Sequence, residues 1–206
     1  IEAIRAIVRQ KSVEDTPAPG APFGTGVRAA LDQTLALCRE LGFETVNVDG
    51  YMGYALWRAE AAEGEEPLPG YVCALGHLDV VPEGTGWNYD PYTLTRKDGF
   101  LIGRGVLDDK GPTVLALSTA KFFAERAEKT GEPNPYTIRV IIGNNEETGM
   151  GDLRGIPGNP DARGFINVCT PPRMSLVPDS SFPVGYGGKG GLNILLRSKM
   201  PVHGFT

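Results

Sequence analysis

Seven side chains in this sequence, of types that bind a divalent cation or move protons, stand out by their positions. They fall in four short segments: Gly76-His77-Leu78-Asp79, Leu107-Asp108-Asp109, Asn145-Glu146-Glu147 and Pro178-Asp179. One imidazole among several carboxylates suits Zn2+ or a similar borderline ion better than Ca2+ or Mg2+. Asp79, two residues past His77, is placed to accept the second ring N–H and fix the tautomer. The adjacent pair Glu146 and Glu147 can divide the work. One carboxylate stays ionised on a metal; its neighbour reaches a water and serves as general base, then acid. The combined chemistry is metal-assisted hydrolysis of an amide. Singly, each residue has an ordinary structural role: a hydrogen-bonded histidine, a capping aspartate, a solvated acid pair, a turn. Their joint placement is what carries the chemical reading.

That placement depends on the elements that precede each segment. The apolar run YVCAL (71–75) reads as a buried strand and ends just before His77. YTIRVII (136–142) reads as a second and ends just before the Asn144–Glu147 segment, and MSLV (174–177) as a third, just before Asp179. Asp108-Asp109 leads into a predicted helix over 113–129, with Pro112 at its first position and Gly131 closing it. Val114, Leu117, the Lys121 stem, Phe122 and Arg126 run close to the period of that helix.

Further helices are predicted from Ile1 through Val8 and from Val27 to Leu41, the second stopped by Gly42. Strands over 43–48 and 54–57 flank an Asp49-Gly50 turn, and 93–102 reads as a hairpin about Lys97-Asp98-Gly99. A fourth buried strand is expected at 192–196, and 151–172 reads as a long irregular excursion. The pattern implies an α/β fold with a mostly parallel sheet flanked by helices. In such sheets ligands gather outside the carboxyl ends of the strands, where the four segments lie.

Composition narrows the alternatives. The 206 residues carry a net charge of −5 and no basic stripe, which argues against nucleic acid as a partner. The 28 Gly and 17 Pro, without a triplet period, indicate a loop-rich globular domain. No apolar stretch approaches the roughly 18 residues of a membrane span, and no leader pattern opens the chain. With Cys38, Cys73 and Cys169 odd in number and widely spaced, buried free thiols in a reducing, cytoplasmic setting are expected.

Other motifs do not support competing chemistries. The run from Gly185 to Gly191 lacks phosphate-loop spacing, and Gly103-Arg104-Gly105 lacks a third glycine for a dinucleotide. No G-x-S-x-G occurs, Cys38 lies mid-helix and Cys73 within a strand, which leaves no nucleophile in a reactive setting. Trp87, Tyr89 and Tyr92 either line a substrate cleft or pack over their own loop.

Four ordered motifs, GHLDVVP (76–82), GWNYDPY (86–92), GRGVLDDKGP (103–112) and NNEETGMGD (144–152), resemble the zinc amidohydrolase superfamily of dipeptidases, aminoacylases and desuccinylases. The DDKGP form is most similar to peptidase V-type and carnosinase-like dipeptidases. The resemblance implies that His77 and Asp179 bind one zinc, Glu147 the other, and Asp108 bridges both. It further implies Glu146 as catalytic base, Asp79 as the residue orienting His77, and a cis peptide between Asp108 and Asp109. A small peptide is the implied substrate, with an N-acyl-amino-acid as the alternative within the same chemistry, and an inactive metal-binding fragment as the alternative outside it.

The family's last zinc ligand is a histidine in a C-terminal half that these residues do not include. The resemblance therefore assigns 1–189 to the N-terminal part of the catalytic domain and 190–206 to the start of a truncated lid or dimerisation domain. On that basis the complete enzyme holds two Zn2+ (Co2+ or Mn2+ being substitutes), and this chain alone holds one and is nearly inactive. His203, the one other imidazole, is expected at the surface.

Overall fold

The computed structural model describes residues 1–61, 64–155, 164–165, 169–180 and 185. Among them the chain forms α1 (Glu2–Val8), α2 (Thr25–Glu40), β1 (Glu44–Val48), β2 (Met52–Trp57) and β3 (Tyr71–His77). There follow β4 (Thr95–Lys97), β5 (Phe100–Ile102), α3 (Lys110–Thr130), β6 (Thr137–Gly143), α4 (Gly151–Arg154) and β7 (Met174–Leu176). The predicted strand at 192–196, the glycine run after Gly185 and His203 lie outside the described residues.

The central sheet has the order β1-β2-β6-β3-β7, and β4-β5 form a separate hairpin. β6 pairs in parallel with β3, and β3 with β7. β2 runs antiparallel to both β1 and β6, so four of the five strands point the same way and β2 alone is reversed. That reversal comes from the β1–β2 hairpin, whose turn residues Asp49 and Gly50 have φ of 50° and 78°, the primed-turn geometry that matches strand twist. The same geometry recurs at Asp98 and Gly99 between β4 and β5.

Alternation along β6 divides the interior into two layers. Val140 and Ile142 join the larger core with Ile7, Leu31, Leu35 and Leu117, beneath α1, α2 and α3. Ile141 faces the other way, into a smaller cluster with Met52, Tyr71 and Cys73. Complete burial of one such side chain, Leu117 for example, contributes about 1.5–3 kcal/mol. α2 ends where expected, with the Gly42 and Phe43 N–H groups donating to the Arg39 and Cys38 carbonyls, both at 3.0 Å.

Three expectations change in detail. α3 starts at Lys110, with Asp109 as N-cap, so Pro112 sits third in the helix rather than first. No N–H in the first turn has an intrahelical partner, and Pro is tolerated throughout that turn. The buried face of α3 runs through Val114, Leu117, Ala120, Ala124 and Ala127, leaving Phe122 62% exposed. The small alanines bring the helix close to the sheet. Finally, the segment expected to be irregular from 151 opens with the single turn α4. Cys38 and Cys73 are buried free thiols, while Cys169 is half-buried.

Candidate metal centre

Strand register brings the separate segments together. His77, the last residue of β3, lies opposite Gly143, the last of β6, while Leu176 at the end of β7 lies opposite Ala74. The loops leaving all three strands therefore open on one edge. The β5–α3 connection, cis at Asp108–Asp109, crosses the same edge.

There His77 Nε2 lies 3.1 Å from Asp108 Oδ1 and 3.6 Å from Asp179 Oδ2. One ligand atom from each of these three residues lies within 4.8 Å of the others. His77 is 3% exposed, and its buried Nε2 makes no hydrogen bond. The other ring nitrogen, Nδ1, is 3.0 Å from the main-chain oxygen of Asp79, with the Asp79 carboxylate slightly farther at 3.3 Å. A carbonyl oxygen only accepts, so Nδ1 donates and the lone pair of a neutral ring sits on Nε2. An unsatisfied imidazole nitrogen facing two carboxylates is a donor set that fits a borderline divalent cation.

The Asp79 carboxylate is otherwise engaged. Its two oxygens accept the backbone N–H groups of Glu146 at 3.1 Å and Glu147 at 3.0 Å. This ties the Glu146–Glu147 loop to the residue beside His77. Both glutamates are half-buried, and Glu147 is outside the three-residue cluster.

Electrostatics reflects the crowding of acids. Burial works against a charged His77 ring, but the Asp79 hydrogen bond and charge, aided by Asp109 and Asp179, hold its pKa up at about 10. Burial raises both glutamates, and neighbouring carboxylates add to this while His77 opposes it. Burial also lifts Asp109 to about 7 and lowers Lys110 to about 7.

Several supporting residues have no signature in the sequence because their partners are main-chain atoms. Asp109 Oδ2 accepts the His77 N–H at 3.0 Å and the Thr113 hydroxyl at 3.2 Å, fastening the end of β3 to the first turn of α3. Ser12, fully buried, donates to the Leu78 carbonyl at 2.6 Å and accepts the Val80 N–H at 3.0 Å. Lys110 Nζ donates to the Gln10 carbonyl at 2.7 Å. Asp152 lies under the Asn144–Glu147 loop with Oδ2 accepting the N–H groups of Asn144 at 2.6 Å and Asn145 at 3.0 Å.

A cavity of about 190 Å3 opens beside the cluster, lined in part by His77, Glu146, Met150, Asp152 and Asp179. The aromatic loop packs on itself. Trp87 Nε1 donates to the Glu83 carbonyl at 2.7 Å, the Tyr92 hydroxyl to the Glu83 carboxylate at 2.9 Å, and Lys97 Nζ to the Tyr89 hydroxyl at 2.8 Å.

Residues 73–177 match the model of peptidase family M20/M25/M40, and the chain belongs to that family. The provisionally named dipeptidase YtjP of Bacillus subtilis is 36% identical over 177 residues, 86% of this chain and 34% of the relative. A similarly named dipeptidase of Staphylococcus epidermidis is 34% identical over 192 residues, 92% of this chain and 36% of the relative. Human carnosine dipeptidase 1 superposes with a TM-score of 0.53 at 29% identity, covering 72% of this chain and 32% of its own. The M20 family metallo-carboxypeptidase Sso-CP2 of Sulfolobus solfataricus shares the fold, with a TM-score of 0.54 at 20% identity over 71% of this chain and 30% of its own. The chain spans about a third of the length of the curated relatives it matches. Among the described residues no helix is long and apolar enough to cross a membrane.

Proposed function

We propose that the protein is a metal-dependent hydrolase that cleaves the peptide bond of dipeptides. The observation that carries this reading is His77 Nε2, buried, without a hydrogen bond, and facing Asp108 and Asp179. The dipeptidase names of its relatives supply the substrate class.

In this reading His77, Asp108 and Asp179 hold one divalent ion, zinc by the donor set, and Asp108 with Glu147 contributes to a second. Ions held there supply Lewis acidity, polarising the scissile carbonyl and acidifying water. Glu146 takes the proton from the attacking water on its carboxylate and returns it to the departing amine. Glu146 lines the cavity beside the cluster, where that exchange would take place. Asp79 holds the Nδ1 proton of His77 through its main-chain oxygen and fixes the height of the glutamate loop through its carboxylate. Residues 1–189 belong to the catalytic domain and 190–206 begin a lid or dimerisation domain. Among the described residues, Asp108 and Glu147 are the two that serve the second ion, and in this reading these 206 residues by themselves are nearly inactive.

The test is Glu146→Gln in the full-length protein, assayed on dipeptides and N-acyl-amino-acids. Turnover of dipeptides should fall by roughly 10²–10⁴-fold, the usual contribution of a general base, with zinc content unchanged. A wild-type rate would remove Glu146 from the role, and a preference for N-acyl-amino-acids would overturn the substrate class.

A further inference from the structure

We propose that Asp152 is a positioning residue for Glu146, acting through the main chain of the loop between β6 and α4. The inference rests on the reading of Glu146 as base.

Four consecutive backbone N–H groups, from Asn144 to Glu147, all donate to carboxylate oxygens. Asp152 Oδ2 takes the first two and the two oxygens of Asp79 take the others. The run leaves β6 just after Gly143, so the two acids fix the path of the chain from the end of the sheet to both glutamates. Asp152 is itself held, because Oδ1 accepts the Leu153 N–H at 2.8 Å in the turn of α4. The loop closes on itself between these points. Met150 N–H donates to the Asn145 carbonyl at 2.6 Å, and Gly151 N–H to Asn145 Oδ1 at 2.9 Å.

The chemistry spent on this support exceeds what closing a loop needs. Asp152 is 1% exposed, and among the described residues its hydrogen-bond partners are all main-chain N–H groups, with no Lys or Arg. A buried carboxylate without a cation is costly, whereas a neutral side chain could close the same turn. What the carboxylate adds is charge-assisted hydrogen bonds that shorten and stiffen the attachment. The neighbouring sequence makes room for it. A Cβ at position 143 would come within 2.8 Å of Asp152 Oδ2, so the glycine there lets the carboxylate reach the strand end. Asp152 and Glu146 also line the same cavity as His77 and Asp179.

The experiment compares Asp152→Asn, Glu146→Gln and the double variant in the full-length, zinc-loaded protein. The amide is isosteric but puts a donor where a backbone N–H needs an acceptor. Asp152→Asn should lower kcat about 100-fold, the scale of a 1 Å misplacement, with KM and zinc content unchanged. In the Glu146→Gln background it should cause no further loss, because both act through one group. Amide hydrogen exchange at 144–147 should accelerate while β3 and β6 keep their protection. Wild-type kcat or unaltered exchange in Asp152→Asn, or a fully additive double variant, would overturn the proposal. Full activity in Glu146→Gln would instead overturn the base assignment, and the positioning role with it. If Asp152→Asn does not fold, Gly143→Ala takes its place, since it displaces the carboxylate without changing its charge. The same loss of kcat is then expected, and an unchanged rate would refute the role.

Discussion

Asp79 and Glu147 are joined by a hydrogen bond from the Glu147 backbone N–H to Asp79 Oδ2 at 3.0 Å, although 67 residues separate Asp79 from Glu146 and 68 from Glu147. The residue that steadies the His77 ring therefore also holds the loop that carries both glutamates. Ring orientation and glutamate position are not independent at this site.

Asp79→Asn should disturb both. One backbone N–H loses its acceptor, which costs about 1–3 kcal/mol when buried. The charge beside Nδ1 is lost as well, so metal affinity should fall, but by less than the roughly 10-fold lower limit for a lost outer partner, because the main-chain oxygen keeps the Nδ1 proton. Titration calorimetry with zinc, alongside a thermal melt, separates the two effects.

His77→Ala removes a ligand outright. Its loss of zinc affinity should exceed the roughly 10–100-fold expected for a supporting residue. Elemental analysis after dialysis against trace zinc reads this directly, and unchanged content would strike His77 from the donor set.

Gly76→Ala probes the contact between β3 and α3. The added methyl would meet the Thr113 hydroxyl and come within 2.7 Å of Asp109 Oδ2. Overpacking of this kind costs about 1–3 kcal/mol. Denaturant titration should show that loss, because neither element can retreat without breaking the Asp109–His77 bond.

Glu83 gives a pH signature away from the metal centre. The hydrogen bond from Lys11, with further bonds including one from Tyr92, depresses its pKa from 4.5 to about 2. A depressed folded-state pKa means stability that is fully present above 4.5 and lost as the pH falls toward about 2. Glu83→Gln should therefore be less stable than the parent at neutral pH, with the gap closing over that window. Denaturant melts at successive pH values measure it.

Much of this arrangement was legible in the sequence because apolar runs and acidic or histidine residues alternate sharply. YVCAL ahead of His77 and YTIRVII ahead of the glutamates mark both strand and site, and β3 and β6 occupy those positions. β2 begins two residues before the strand the sequence suggests, because Met52 and Gly53, next to the Asp49-Gly50 turn, pair with Val48 and Asn47. Phe122 reads as part of the buried face of α3 because it is large and apolar and falls close to the helical period. The structure instead buries Ala120, Ala124 and Ala127 there and leaves Phe122 exposed. Asp109 is legible as a cap ahead of α3 and sits there, but its bond to the His77 N–H, like the bonds of Asp152 and Ser12, goes to main-chain groups, which look alike at every position. Nothing in residue identity tells which N–H groups need an acceptor; only the folded path of the loop does.

The hydrogen bonds of Ser12 and Lys110 have a practical side. Residues 10–12 grip the stretch from Leu78 to Val80 and the first turn of α3, so the N-terminal end belongs to the centre even though it donates no ligand. Anyone trimming the protein to begin at Val13 would keep every metal-binding side chain and still loosen the seat on which His77 rests. Boundary selection for expression is, for this domain, a choice about its chemistry.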